Sequence, residues 1–335
     1  MIALPRPYLV FTGDLRNEVN AKTAYGVRDW APESCAGQWS LPGCTIDLAL
    51  PVLTPAEARA KGVKSLLIGA APPGGALPAH WIGAVVEALE AGLDIVSGLH
   101  TPLGSFAEIA AAAAKSGGQL IDIRHGQYER RVGTGIKRSG KRLLTVGTDC
   151  ALGKKYTALS ITRAMQAAGW DASFRATGQT GIMISGEGAA IDAVVADFIS
   201  GVAEQLSPDA APAHWDVIEG QGSLFHPAYA AVTLGLLHGS QPDAMVLCHH
   251  PTRERINGFE GYRLPTLTQA MELHLPLARR TNPDSRIVAV ALNTKGLDEA
   301  ATAAAIAAAG SETGLPAFDP IKHDLSPLLA QLETL

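Results

Sequence analysis

Residues 146–159, VGTDCALGKKYTAL, carry the strongest chemical signal in the chain. Gly147 and Gly153 bracket five residues, the apolar run LLTV precedes them, and a helix-like segment follows. A glycine turn between a strand and a helix wraps backbone N–H groups around an anion at the helix N-terminus, and a lysine reinforces the site. Lys154 is that lysine. Gly147, Thr148, Asp149, Gly153, Lys154, Lys155, Tyr156 and Thr157 form the candidate phosphate-binding set. In the usual loop a Ser or Thr directly follows the lysine and its hydroxyl ligates magnesium. Lys155 stands in that place, and an ammonium cannot ligate a metal ion, which leaves Thr157 or Tyr156 as the only nearby substitutes. Two adjacent lysines suit a diphosphate held without metal better than they suit ATP hydrolysis.

Further along, VIEGQGSLFHP places Glu219 after an apolar strand pattern and His226 seven residues on. Strand ends of this kind are where open parallel sheets bind ligands, so both are candidate proton carriers. His249 and His250, which close AMVLCHH, are alternatives for the base. Cys150 lies inside the loop, at a helix N-terminus beside lysines. Those features favour a thiolate, and an acyl-cysteine intermediate is the chemistry they would allow. Plainer roles compete: a helix-capping Glu, a His packed under a loop, a small residue facing the loop interior. Cys35, Cys44, Cys150 and Cys248 form no C-x2-C pair, and the two adjacent histidines lack a partner acid or thiol at ligand spacing, so no metal is expected.

These residues need a scaffold, and the sequence describes one. PYLVFTGD, KSLLIGAA and QLIDIRH alternate with the helix-like HWIGAVVEALEAGLD and SFAEIAAAAAKSGG, the pattern of a parallel sheet covered on both faces. Residues 126–142, polar and rich in glycine, read as a linker. A second strand, loop and helix series follows, through LLTVGTD, WDVIEGQGS, DAMVLCHH and RIVAVALNT. The fold class is therefore α/β with two domains, residues 1–135 Rossmann-like and residues 136–335 P-loop-like. At 335 residues, 47% hydrophobic and 18% charged, the chain can bury two cores. A net charge of −5 gives no basic footprint for nucleic acid. No apolar run is long enough to span a membrane and no signal peptide opens the chain, so a cytoplasmic protein is expected. G-x-G-x-x-G is missing after the first strand, which removes the basis for NAD binding.

GTDCALGKK resembles the GTDTxxGKT loop of dethiobiotin synthetase-like proteins, and VIEGQGS resembles their EGAGG strand end. More specifically, AKTAYGVRDW, GIKRSGKRLLTVGTDCALGKKYTAL, FRATGQTGI, IEGQGSLFHPAY and QPDAMVLCHHPTR together resemble the DgcN-type D-glutamate N-acetyltransferases across the whole chain. The resemblance implies a Rossmann-like domain followed by a P-loop-like domain, and acetyl transfer from acetyl-CoA to the amine of D-glutamate. It implies a small acidic amino acid as the partner molecule; an ATP- and magnesium-dependent enzyme acting on a small carboxylate, which Lys155 disfavours, and a non-catalytic nucleotide-binding regulator are the alternatives. On that reading the loop holds the phosphates of coenzyme A. Arg175, Thr177, Gln179 and Thr180 in SFRATGQTG would bind the acceptor, with Lys22 and Arg28 of AKTAYGVRDW facing its carboxylates. Arg175 paired with a local acid is the competing reading. Trp30, Cys35 and Trp39 suit a packed interface, and a homo-oligomer is expected.

Overall fold

The structure is a computed structural model and describes residues 2–18, 20–70, 75–125 and 128–335. The chain divides into two compact units, residues 1–128 with 178–193 and residues 129–177 with 194–335. In the first unit β1 (Ile2–Ala3), β2 (Tyr8–Gly13), α1 (Lys22–Trp30), β3 (Cys35–Ser40), α2 (Pro55–Ala60), β4 (Ser65–Ile68), α3 (Ile82–Glu90), β5 (Asp94–Ser97), α4 (Ala107–Ser116) and β6 (Leu120–Asp122) follow one another. Strands β3-β2-β4-β5-β6 form one sheet, parallel throughout. β2 shows why: all six residues of YLVFTG are buried, a continuous run instead of the alternation of a half-exposed strand. Phe11 packs against the half-buried Trp39 and edge-on to the buried Trp81, so Trp39 rests on this unit's own core. Local signals set helix starts, as in the Thr54 and Glu57 capping box of α2, and Gly117 ends α4 in the left-handed region at φ 76°.

The second unit begins with β7 (Lys141–Gly147), α5 (Lys154–Ala167) and β8 (Ala172–Arg175). The chain then contributes α6 (Gln179–Ser185) and β9 (Glu187–Gly188) to the first unit, where β9 pairs antiparallel with β1. It continues in the second unit with α7 (Ile199–Leu206), β10 (Trp215–Ile218), α8 (Ala230–Ser240), β11 (Ala244–His249), β12 (Arg255–Ile256), β13 (Phe259–Arg263), α9 (Leu267–Ala278), β14 (Arg286–Leu292), α10 (Glu299–Thr313), β15 (Ala317–Phe318) and α11 (Ser326–Leu332). The six-stranded sheet β15-β14-β11-β7-β10-β8 is parallel throughout. Leu143, Val217, Val246, Ala289, Ile161 and Leu328 belong to its buried core. Two parallel α/β sheets are what the alternating patterns implied.

The sheet order matters more than the strand count. From β7 the chain steps outward to β8 and back to β10 on one side, then crosses to β11 on the other. β7 is thus the point where the winding reverses, and the ends of β7, β10 and β11 open a crevice there. GTDCALGKK, EGQGSLFH and HHPTR are the segments that leave those three strand ends. Of the linker, residues 126 and 127 lie outside the described residues, and 129–138 contain neither helix nor strand. That stretch is nonetheless tied down: the N–H groups of Thr134 and Gly135 donate to Glu204, and Arg138 donates to Ser207 and Gly239. Among the described residues no helix is long and apolar enough to cross a membrane.

Candidate active site

The loop after β7 leaves the sheet with Thr148 N–H donating to the Cys248 carbonyl at 3.2 Å. Ala151 adopts φ 52°, and Gly153 caps α5 at φ 107°, a conformation that glycine reaches without strain. The N–H groups of Ala151, Leu152, Gly153 and Lys154 have no partner among the described residues. Four open donors at the start of a 14-residue helix make an anion cradle. Lys154 is buried there, its Nζ donating to the Asp149 carbonyl at 2.8 Å, and burial pulls its ammonium below the ordinary lysine value. An anion would supply the charge this ammonium lacks.

The next three positions behave differently. Lys155 holds its Nζ 4.3 Å from the centroid of the Tyr156 ring. Thr157 is buried, and its hydroxyl accepts from the Cys248 thiol at 3.5 Å. The Thr157 hydroxyl is thus engaged by Cys248, and the Lys155 ammonium by the Tyr156 ring.

A strap holds the loop in shape. Asp149 is completely buried; one carboxylate oxygen accepts from Cys150 N–H at 2.6 Å, and the other accepts from Arg253 Nη1 and Asn257 N–H, each at 2.8 Å. Arg253 Nη1 also donates to the Cys150 carbonyl at 2.7 Å. Arg253 thus reads the carboxylate of Asp149 and the backbone beside it with one planar fork. Sequence reasoning passed over Arg253 and Asn257; the available signal was position, since both follow the third strand end of the crevice. At that end His249 Nδ1 lies 3.0 Å from the Thr148 hydroxyl, and burial drops the His249 ring to about 4. His250 is lowered by burial as well.

Cys150 is half-buried in the loop, and burial pushes its thiol up, outweighing the lowering influence of Lys154 and Arg253. The helix terminus and lysines that suggested a thiolate are present, but desolvation dominates them. His226, only 2% exposed, rests between Tyr229, stacked at 4.5 Å between centroids, and the edge of Phe259 at 4.9 Å. Its Nδ1 accepts from Ala228 N–H at 3.2 Å. Asp149, Cys150 and His226 each bring one donor atom within 4.8 Å of the others. In this trio Nδ1 of His226 accepts from Ala228 N–H, and the Asp149 carboxylate accepts from three N–H donors.

Glu219 lies beyond the end of β10, buried, with Oε2 accepting from Thr177 N–H at 3.0 Å; the Thr177 hydroxyl donates back to the Glu219 carbonyl, and Gln221 donates to that hydroxyl at 3.2 Å. Gly220 is required by its neighbours, because a Cβ there would stand 1.7 Å from the Thr145 carbonyl and 3.0 Å from Lys154 Cδ. Arg175 ends β8 and its Nε meets Asp216 at 2.5 Å, with His214 on the same carboxylate. The second unit therefore gathers the loop, Glu219, His226, Arg175 and Thr177. Lys22, Arg28, Gln179 and Thr180 belong to the first unit. There Arg28 pairs with Asp29 and lies over the Tyr25 ring, the Thr180 and Thr23 hydroxyls are 3.1 Å apart, and the Gln179 side chain occupies the space that a Cβ on Gly98 would fill.

Together these features define a two-domain protein whose P-loop keeps its anion cradle and lacks its metal hydroxyl. Residues 131–329 match the family described as Domain of unknown function (DUF1611_C) P-loop domain, and residues 33–126 match Domain of unknown function (DUF1611_N) Rossmann-like domain. The chain belongs to the DUF1611 family. It is 47% identical over 326 residues to a D-glutamate N-acetyltransferase of Tritonibacter scottomollicae, covering 97% of this chain and 98% of that one. A D-glutamate N-acetyltransferase of Pseudoalteromonas sp is 45% identical with the same coverage. A crystal structure of a DUF1611 family protein from Anabaena variabilis superposes with a TM-score of 0.86 at 31% identity, over 98% of this chain and 100% of that one. The family indicated by the sequence motifs is thus the family of the chain.

Proposed function

We propose that the protein is an N-acetyltransferase that moves the acetyl group of acetyl-CoA to the amine of D-glutamate, as part of D-amino acid catabolism. The observation that carries the reading is the cradle of four open N–H groups beside buried Lys154, in a chain nearly half identical to two proteins named for that reaction. Coenzyme A carries phosphates that such a cradle binds without metal. ATP hydrolysis would call for a magnesium ligand where Lys155 stands.

The sheet order suggests how one unit serves both substrates. Adjacent strands lie about 4.8 Å apart, so the end of β8 is roughly 10 Å from the loop on β7, with β10 between them. With its phosphates at the loop, the donor's pantetheine arm can carry the thioester toward Glu219 and Thr177. Glu219 then takes a proton from the acceptor ammonium, its carboxylate oriented by Thr177 N–H. The amine attacks the acetyl carbonyl, the C–S bond breaks, and coenzyme A leaves as the thiol. Arg175 supplies positive charge for an acceptor carboxylate at the same end, shared with Asp216. A cytoplasmic homo-oligomer acting on small molecules completes the reading.

The test is free-thiol release from acetyl-CoA by magnesium-free protein, with D-glutamate, L-glutamate and D-aspartate offered separately. Release that requires D-glutamate supports the proposal. Silence with every acceptor, followed by phosphate release once ATP and magnesium are added, would return the loop to nucleotide chemistry.

A further inference from the structure

His226 shares the loop's surroundings yet cannot do there what a general base does. Its Nδ1 accepts the N–H of Ala228 at 3.2 Å, which assigns the ring proton to Nε2. Nε2 is then a donor, and it has no hydrogen-bond partner among the described residues. The ring has no freedom to exchange these roles by turning over, because Tyr229 stacks on it and Phe259 meets it edge-on. Although the residue as a whole is only 2% exposed, Nε2 is not sealed from solvent, so the donor has an opening through which an acceptor can arrive. A nitrogen of this ring lies within 4.8 Å of Cys150 Sγ and of an Asp149 carboxylate oxygen, both in the loop. Asp149 makes no hydrogen bond to the ring; its three N–H donors come from Cys150, Arg253 and Asn257.

We infer that His226 is a side-chain wall of the anion cradle, donating its Nε2–H to a phosphate oxygen of the acyl donor, and that it is a binding residue with no part in proton transfer. Three strand ends then converge on one anion: β7 provides the loop N–H groups and Lys154, β10 provides His226, and β11 provides Arg253, which fixes the loop. A neutral donor suits a diphosphate bound without metal, because it adds a directional contact without adding charge beside the lysines. The inference rests on the loop as the phosphate site of acetyl-CoA, and it names a group that the loop alone does not contain.

The test uses full-length protein and inorganic pyrophosphate as the probe, with binding followed by calorimetry so that acetyl transfer is not needed. His226→Phe keeps an aromatic ring between Tyr229 and Phe259 and removes the donor; His226→Gln returns a donor. Thermal melts confirm that both variants are folded. A hydrogen bond to a charged acceptor corresponds to about ten- to a hundredfold in affinity. The expected result is weakening of that size in His226→Phe, partial recovery in His226→Gln, and a larger change in the KM for acetyl-CoA than in kcat. Unchanged pyrophosphate affinity in folded His226→Phe would overturn the inference and leave the transferase reading intact. Wild-type protein that binds neither pyrophosphate nor coenzyme A would overturn the inference together with the loop assignment. Pyrophosphate binding that depends on His226, with no thiol release for any acceptor, would uphold the inference while the transferase reading falls.

Discussion

Replacing Arg253 with Met tests the strap directly. The guanidinium faces a carboxylate that solvent does not reach, at 2.8 Å, and also holds the Cys150 carbonyl at 2.7 Å. Removing one partner of a buried pair costs about 3–5 kcal/mol, because the remaining charge stays buried without its counter-ion. Asp149 would retain the N–H groups of Cys150 and Asn257, which offset part of that loss, so the lower end, about 3 kcal/mol, is expected. For a unit of this size that corresponds to a fall in Tm of about 6–12 °C. The assay is a double-mutant cycle by scanning calorimetry with Asp149→Asn, Arg253→Met and the two combined. The double variant should be less destabilised than the sum of the singles, since removing both charges leaves none stranded. Additive singles, or a fall of less than about 2 °C in Arg253→Met, would refute the reasoning and reduce the strap to a surface contact.

Four other outcomes are expected. Burial drops His274 and His249 to about 4, so the unfolded chain binds more protons below about pH 6.5; stability should fall as pH drops from there toward about 4, and His274→Gln should flatten that slope in acid denaturation. Gly220→Ala drives a Cβ into the Thr145 carbonyl, and loss of soluble protein on expression is the readout; a normally folded variant would contradict the close approach. Arg175→Lys should raise the KM for D-glutamate far more than that for acetyl-CoA, whereas equal effects would assign Arg175 to holding Asp216 alone. Cys150→Ser should retain most activity in the thiol-release assay, and an inactive but folded variant would revive an acyl-cysteine step.

The parallel sheets were legible because fully buried strands write themselves as continuous apolar runs, as YLVFTG and AMVLC do. The loop was legible because its glycines and lysine answer a backbone requirement local to a dozen residues. What stayed hidden is nonlocal. Arg253 lies about a hundred positions from Asp149, and only the crossing of the chain from β10 to β11 brings them together. Residue type also misleads where two environments compete. Cys150 has the helix terminus and cations that lower a thiol, and burial, which spacing does not report, outweighs them. Arg175, by contrast, leaves open a ligand fork or a pair with a local acid, and only the sheet shows that Asp216, from a neighbouring strand, is the acid that takes its Nε.

On the proposed acetyl-transfer reading, the loop cannot hold the donor's phosphates and attack its thioester at the same time. The pantetheine arm separates the two ends of coenzyme A by more than the width of the loop, and Cys150 belongs to the loop itself. A phosphate seated on the N–H groups of residues 151–154 therefore carries the acetyl group away from Cys150 and out along the strand ends. On that proposal the same constraint applies to His226, a nitrogen of which lies within 4.8 Å of Cys150 Sγ and an Asp149 oxygen, and it favours Glu219, held from the β8 side by Thr177, as the carboxylate to meet the amine. Loss of the metal hydroxyl at Lys155 fits this division. Magnesium in a P-loop serves to neutralise charge that develops as a phosphoryl group departs. A donor whose phosphates are only a handle develops no such charge, so on the proposed reading the loop N–H groups, Lys154 and a neutral donor suffice to hold it.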